Sequence, residues 1–253
     1  MRLPKPTWKR SLGVIFVSIL IVITSFVVWA NTTNPLMPQA EAALQSSTTV
    51  TVTQTAGYIG FVPKDAAPAG IVLYPGGRVQ AAAYAPVARA IAEQGYFAAI
   101  VFVPLNLAFF NVNAADQVIA DHPEITVWVV GGHSLGGVAA SLYAQSRPEV
   151  RGLVIMASYP PNDALRERAD LRVLSIYGTN DGLARAEDIR RSAKDLPQNA
   201  RFVAIEGGNH AQFGYYGAQA GDNQASITHE EQTTQIVTAV VALLDEVSRR
   251  EDE

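Results

Sequence analysis

The sequence predicts an α/β protein with a mostly parallel central sheet flanked by helices. Three observations support this prediction. Short apolar runs that fit buried strands alternate with helix-like segments along most of the chain. Residues 97–103 are apolar throughout, as expected for a strand buried on both faces of a parallel sheet. The stretch Gly132-His133-Ser134-Leu135-Gly136 lies between a strand-like and a helix-like run, which is the setting of a tight strand–helix turn.

The elements follow in order from apolar runs separated by Gly, Pro and polar residues. The first strand alternates Thr and Val and is expected at an edge of the sheet. The predicted strands cover residues 48–53, 58–62, 70–74, 97–103, 125–130, 150–157, 171–177 and 202–205. The predicted helices cover residues 81–94, 113–121, 138–145, 185–194 and 230–247. Only short stretches separate these elements, so we expect an open site without a large lid.

The N-terminal part of the chain has a different composition from the rest. Residues 1–10 are basic, and residues 11–30 carry no charge over a length of about 30 Å, enough to cross a bilayer. This pattern predicts a basic cytoplasmic flank and a single transmembrane anchor, with a cleaved signal peptide as the alternative. Either outcome places the remainder outside the cytoplasm, membrane-bound or secreted. Residues 31–47 are expected to form a linker or stalk before a single domain over 48–253.

Composition excludes several classes of protein. Apolar residues make up 49% of the chain and charged residues 17%, which fits a folded domain with a sizeable core. The chain has no cysteine, so disulfides and cysteine-based chemistry are excluded. Beyond residue 30, fifteen basic residues face 23 acidic ones, a net charge of −8. A domain with this negative charge lacks the excess of basic residues that nucleic-acid binding requires. Composition leaves the oligomeric state open.

Three polar side chains follow the ends of predicted strands and are expected to meet at one edge of the sheet. They are Ser134, Asp181 and His210. A serine hydroxyl is a weak nucleophile at neutral pH and needs a neighbouring base, which His210 can supply. Asp181 would orient that imidazole and stabilise its charged form. Two other acids are rivals to Asp181, namely Asp163 and Asp188. The other histidines are assigned structural or surface positions: His122, His133 and His229.

On these residues the chain resembles the α/β-hydrolase family over roughly residues 50–247. The resemblance depends on three motifs in the order Ser, Asp, His. They are Gly132-His133-Ser134-Leu135-Gly136-Gly137, Tyr177-Gly178-Thr179-Asn180-Asp181-Gly182 and Gly207-Gly208-Asn209-His210. The chain looks most like the small, lidless bacterial branch with esterase-like and dienelactone-hydrolase-like members. Dienelactone hydrolases use a cysteine nucleophile, whereas this sequence has Ser134.

The resemblance also implies an oxyanion hole and a substrate pocket. Two backbone N–H groups are needed, one from Leu135 after the nucleophile and one from Gly77 in the loop after residue 74. Where this chain has Pro75-Gly76, many relatives have His-Gly, so Gly76 or Arg78 remains an alternative donor. Arg78 is also a candidate for binding an anionic substrate group, or a plain surface residue. Tyr215 and Tyr216 are candidates for the pocket rim, with loop packing as the alternative.

The sequence therefore predicts a serine hydrolase that acts on a carboxylic ester or related acyl substrate, either a small molecule or a lipid. The proposed Ser134–His210–Asp181 triad requires neither a metal nor an organic cofactor. The alternative is a non-catalytic, membrane-tethered binding module built on a hydrolase scaffold.

Overall fold

The protein contains one eight-stranded sheet, seen in a computed structural model that describes residues 8–65 and 69–251. The strands are β1 (Val50–Gln54), β2 (Tyr58–Pro63), β3 (Ala69–Tyr74), β4 (Phe97–Val101), β5 (Val127–His133), β6 (Val150–Met156), β7 (Arg172–Gly178) and β8 (Arg201–Ile205). Their order is β1-β2-β4-β3-β5-β6-β7-β8. The β1–β2 and β2–β4 pairs are antiparallel and the others parallel. The predicted mostly parallel sheet and the edge position of β1 are confirmed.

Helices follow most of the strands. They are α1 (Trp8–Asn31), α2 (Pro38–Ala43), α3 (Ala85–Ala92), α4 (Ala115–Asp121), α5 (Leu135–Gln145), α6 (Ala186–Arg191) and α7 (His229–Glu251). Short 3-10 segments cover Ala81–Tyr84, Pro104–Asn106, Ala108–Ala114, Ser192–Asp195 and Ala211–Phe213. The predicted helix over 81–94 is therefore a 3-10 turn followed by α3, because Pro86 lies where the α-helix begins. No large lid lies among these elements in the described residues.

Both faces of the sheet are buried. Ile71 and Leu73 of β3 belong to a cluster with the residues of α3 and α7, whereas Val72 and Tyr74 belong to a cluster with those of α4 and α5. Successive side chains of a strand point to opposite faces, so a central strand with helices on both sides needs an unbroken apolar run. Burial of each such side chain contributes about 1.5–3 kcal/mol. The fold class predicted from the alternation of elements is confirmed.

The N-terminal helix α1 carries the apolar run. The segment Ser11–Asn31 is 21 residues long, and its most apolar stretch is not buried against the protein. By length and composition it could be a transmembrane span or a signal sequence. Most of the basic flank predicted over 1–10 lies outside the described residues.

The segment expected to be a linker, residues 31–47, packs on the domain in part. It contains α2, whose Ala40 and Ala43 are buried. The Met37 N–H donates to the Tyr215 carbonyl at 2.9 Å, and Nε of Arg89 donates to the Ala43 carbonyl at 3.0 Å. Two alanines three residues apart make one small apolar helix face. That face is too narrow to stand out in a Pro-, Gln- and Ser-containing stretch.

Candidate active site

Ser134 lies in a sharp turn between β5 and α5. Its φ of 52° and ψ of −120° are rare for a residue with a side chain, and such strain is typical of functional sites. The turn needs glycine on both sides. A Cβ on Gly132 would lie 2.3 Å from the Gly136 carbonyl carbon, and one on Gly136 would lie 2.1 Å from the Tyr74 oxygen. The predicted tight strand–helix turn, which we call the elbow, is therefore a place where strand and helix backbones touch.

We expect Gly136→Ala to lower the free energy of unfolding by about 3 kcal/mol or more, because the new methyl must displace backbone rather than a flexible side chain. Denaturant unfolding of the full-length protein in detergent measures this. The matched control is Gly13→Ala, where an added Cβ meets nothing within 4 Å. Equal unfolding free energies for the two variants would contradict the described turn.

The other strained residues gather at the same edge of the sheet. In the described part of the chain, the residues other than glycine with positive φ are Arg78, Leu105, Asn106, Ser134 and Ala157. They follow the carboxyl ends of β3, β4, β5 and β6. In parallel sheets these ends form the site-bearing edge. Strain held in so many neighbouring loops marks this edge as the candidate site.

His210 and Asp181 form a buried pair. Nδ1 of His210 lies 2.8 Å from Oδ2 of Asp181, and their side chains are 3% and 0% exposed. Oδ1 of Asp181 accepts the N–H groups of Leu183 and Ala184 at 2.8 and 2.7 Å. Because the carboxylate accepts, Nδ1 carries the proton and Nε2 is the basic nitrogen. The carboxylate is thus held on one side by backbone and orients the imidazole on the other.

The rival acids lie elsewhere. Asp163 is exposed in the loop after β6, and Asp188 pairs with Arg191 at 3.0 Å on α6. Neither contacts His210 in the described residues. The structure therefore brings Asp181, and not its rivals, to the histidine.

The nucleophile candidate is the neighbour in sequence of a residue that contacts the histidine. The ring of His133, next to Ser134 in the chain, lies 4.5 Å from the His210 ring, centroid to centroid. Oγ of Ser134 and Nε2 of His210 have no hydrogen-bond partner among the described residues. No hydrogen bond therefore joins the two reactive atoms in this structure. Such bonds are often long without substrate and tighten when it binds.

Two supporting residues were not identified from the sequence. Asp222 accepts the N–H of Gly182 with Oδ1 at 3.0 Å and the N–H of Ala211 with Oδ2 at 2.9 Å. It thereby joins the loop of the acid to the loop of the histidine. The fully buried Gln232 of α7 holds both backbone polar groups of Asn209 at 3.0 and 2.9 Å. The only signal for either was a polar residue in or after a Gly-rich loop, which is too common to be informative.

Backbone donors near Ser134 differ in whether they are free. The N–H of Gly76 donates to the Tyr84 hydroxyl at 2.9 Å, and that of Arg78 to the Asn106 carbonyl at 2.7 Å. Among the described residues, the N–H groups of Gly77 and Leu135 have no acceptor. A Cβ on Gly77 would lie 3.2 Å from a Leu135 methyl, so the two free donors are neighbours. Of the three donors left open by the sequence, Gly77 is the one without a partner.

His133 braces this arrangement from behind. The Tyr84 hydroxyl, which accepts the Gly76 N–H, lies 2.8 Å from Nδ1 of His133 and can donate its own proton there. Burial, with repulsion from His210, lowers the pKa of His133 well below its usual value, so the ring is neutral. The ring stacks on Phe213 at 5.4 Å. These contacts agree with a structural position for His133, one of the two kinds of position expected from the sequence.

The predicted substrate residues bond to other parts of the protein. Tyr215 and Tyr216 are each 3% exposed, and their hydroxyls bond Thr233 at 2.9 Å and Gln219 at 2.8 Å. Burial raises the pKa of Tyr216 far above its usual value. These contacts favour loop packing, the alternative left open by the sequence. Arg78 donates to the carbonyls of Trp29 and Thr32 at 2.9 and 2.8 Å, so its guanidinium holds the end of α1.

The remaining histidines are structural. His122 lies 3.2 Å from the Tyr58 hydroxyl and stacks on Phe97 at 4.1 Å, so it is half-buried rather than a surface residue. Nε2 of His229 lies 3.0 Å from the Gly214 carbonyl at the start of α7. In residues 8–65 and 69–251 no group of three or more acidic or histidine side chains is arranged to hold a metal ion.

The sheet order, the strained elbow after β5 and the acid and histidine loops after β7 and β8 together define a protein of the α/β-hydrolase fold. Comparison with protein-family models agrees: the Alpha/beta hydrolase family matches residues 70–234, well over half of the chain. The chain belongs to the alpha/beta hydrolase family. Membership supports hydrolase activity in general.

Two solved structures show the same fold. TT1662 from Thermus thermophilus superposes with a TM-score of 0.61 at 12% identity, covering 79% of this chain and 98% of that one. Est1E from Butyrivibrio proteoclasticus superposes with a TM-score of 0.57 at 14% identity, covering 79% and 99%. A search of curated proteins gave no match. At these identities the likeness shows the fold alone.

Proposed function

We propose that this protein is a serine hydrolase that cleaves a carboxylic ester or related acyl substrate through an acyl-enzyme. The observation that carries the proposal is the buried His210–Asp181 pair, whose histidine ring contacts His133, the neighbour in sequence of a serine held at positive φ. In this reaction the Ser134 oxygen attacks the acyl carbon while Nε2 of His210 takes the hydroxyl proton. His210 then returns the proton to the leaving alkoxide. A water molecule then gives a proton to His210 and attacks the acyl-enzyme, which releases the acid and restores the Ser134 hydroxyl.

The oxyanion hole is assigned to the N–H groups of Gly77 and Leu135. Both lack an acceptor in the described residues, and a Cβ on Gly77 would lie 3.2 Å from a Leu135 methyl, so the two residues are in contact. Developing charge on the carbonyl oxygen is stabilised by such fixed donors without reorganisation. The neutral state of His133 supports the same step, because a second imidazolium beside His210 would oppose its protonation.

Labelling by a fluorophosphonate probe tests the proposal directly. Covalent labelling of the full-length protein that disappears in a Ser134 variant supports the enzyme. Folded protein that neither reacts with the probe nor turns over esters of any chain length would support the non-catalytic binding module instead.

Tyr84 is expected to position the loop after β3 that carries Gly76 and Gly77, which we call the oxyanion loop. Tyr84→Phe removes the acceptor of the Gly76 N–H and the partner of His133 Nδ1. A buried N–H without a partner moves to find one, so we expect kcat to fall about tenfold with KM little changed. Steady-state ester hydrolysis measures this. The control is Tyr96→Phe, whose hydroxyl bonds Asp245 on α7. Equal kcat in both variants would contradict the positioning role.

We also propose that α1 remains as an anchor in the cell membrane, with the catalytic domain outside the cytoplasm. The four basic residues before the apolar run support this orientation. Contacts at the end of α1 support retention, because Ala30 is fully buried and Arg78 binds the Trp29 and Thr32 carbonyls. Cleavage near residue 30 would break this packed junction.

A further inference from the structure

The large apolar side chains that remain exposed are concentrated at the candidate active site. In the described part of the chain, and outside α1, they are Phe109, Phe110, Tyr159 and Leu183, each 42–49% exposed. Phe109 and Phe110 follow β4, Tyr159 follows β6 and Leu183 follows β7. All four therefore lie at the carboxyl edge of the parallel strands, which we call the apolar rim. Single exposed apolar residues are ordinary, but a group confined to one edge marks an interaction surface.

The apolar rim is continuous with the end of α1. The Phe26 and Phe110 rings meet edge to face with centroids 6.4 Å apart, and Phe109 packs on Phe110 at 4.5 Å. Arg78 stacks on the Trp29 ring at 4.5 Å while binding the last carbonyls of α1. The helix thus reaches the domain at the same edge as the site. It does not reach it from the opposite end of the strands.

The length of α1 determines how deep this edge of the sheet lies relative to the bilayer. If Ser11–Asn31 spans the bilayer, its outer end lies among the lipid headgroups. Phe26 precedes Asn31 by about 7.5 Å along the helix axis, so Phe110 beside it lies near the headgroup–acyl boundary. Tryptophan, the residue at position 29, is favoured at that depth.

The oxyanion loop is tied to the same junction. Arg78 directly follows Gly77, and its N–H binds the Asn106 carbonyl in the segment that leads to Phe109. Leu107 lies against Gly77, with a methyl 3.8 Å from where a Cβ would be. The wall of the site therefore runs without a break from the free N–H of Gly77 to the apolar rim.

We infer that the apolar rim rests on the lipid bilayer and that the site takes an acyl ester whose chain is embedded in that bilayer. This rests on the proposed function and names its substrate class. The ester group enters between Ser134 and the donors of Gly77 and Leu135, while its apolar chain stays in contact with the rim and the membrane. A bilayer fits better than another protein because α1, which we propose to span one, is continuous with the rim.

The first test measures the position of the rim without using activity. The chain has no cysteine, so Phe110→Cys and Tyr159→Cys in the full-length protein, reconstituted in phosphatidylcholine vesicles, each accept one environment-sensitive fluorophore. Doxyl-labelled lipids should quench both. They should not quench a label at Gln198→Cys, an exposed residue at the amino end of β8. Equal quenching at positions 110 and 198, or a mature protein that begins near residue 31, would overturn the inference.

The second test separates the inference from the proposed function. Phe109→Ser/Phe110→Ser should lower hydrolysis of a vesicle-embedded fluorogenic long-chain ester by about tenfold, because two rings are lost from the membrane contact. Hydrolysis of a soluble short-chain ester should fall by a much smaller factor than hydrolysis of the embedded ester. A wild-type protein that cleaves only the soluble ester, or a double variant that loses both activities equally, would overturn the inference. Failure of the wild type on every ester contradicts the proposed function, and the quenching result still stands.

Discussion

Ser134→Ala is expected to lower kcat on a short-chain ester by about 10⁴- to 10⁶-fold, because no other group can form the acyl-enzyme. The fold should be unaffected. Alanine keeps the Cβ of serine and so the same backbone strain, and the Ser134 hydroxyl has no hydrogen-bond partner in the described residues. The measurement is steady-state hydrolysis of a p-nitrophenyl ester, together with fluorophosphonate labelling of the same preparations.

The matched control is Ser146→Ala at the opposite end of α5, where the hydroxyl donates to the Tyr143 carbonyl. That variant should retain wild-type turnover and labelling. If Ser134→Ala turned over ester at the wild-type rate while remaining folded, the nucleophile would have to be another group.

Asp181→Asn is expected to lower kcat by about 10⁴-fold with little change in stability. The asparagine oxygen can still accept the N–H groups of Leu183 and Ala184, as Oδ1 of Asp181 does at 2.8 and 2.7 Å. Its amide then faces His210 as a donor, so Nδ1 must accept and Nε2 must carry the proton. An imidazole in that tautomer cannot take the proton of Ser134.

Two matched controls use the rival acids. Asp163→Asn and Asp188→Asn leave the His210–Asp181 contact intact and should keep wild-type kcat. A larger loss of kcat in Asp163→Asn than in Asp181→Asn would assign the catalytic acid to Asp163, in the loop after β6. Circular dichroism of each preparation excludes unfolding as the cause.

The candidate Ser, Asp and His could be selected from the sequence because each lies in a short, recognisable segment. Gly132 and Gly136 flank Ser134 because the backbones of β5 and α5 nearly touch, a requirement visible within five residues. The alternation of apolar runs and helices likewise predicted all eight strands. Both signals are local, and local patterns can be recognised in the sequence without the structure.

The supports of the site could not be predicted. The Tyr84 hydroxyl bonds the Gly76 N–H and also Nδ1 of His133, which lies 49 residues further along the chain. Asp222 joins the loops of Gly182 and Ala211, which lie 40 and 11 residues before it. The sequence leaves Tyr215 and Tyr216 open between the pocket and loop packing, because only packing decides which side of a loop a ring faces. Their buried hydroxyls show that the rings face inward.

The amino-acid sequence alone determines the family, the sheet, the elbow serine and the apolar N-terminal run, because each depends on residues close together in the chain. Only the tertiary structure decided that His210 meets Asp181, that Gly77 keeps a free N–H, and that Arg78 joins α1 to the edge carrying the apolar rim. The reason is physical: hydrogen bonds and ring contacts between residues tens of positions apart depend on how strands are ordered and loops fold back, and no local pattern encodes that geometry.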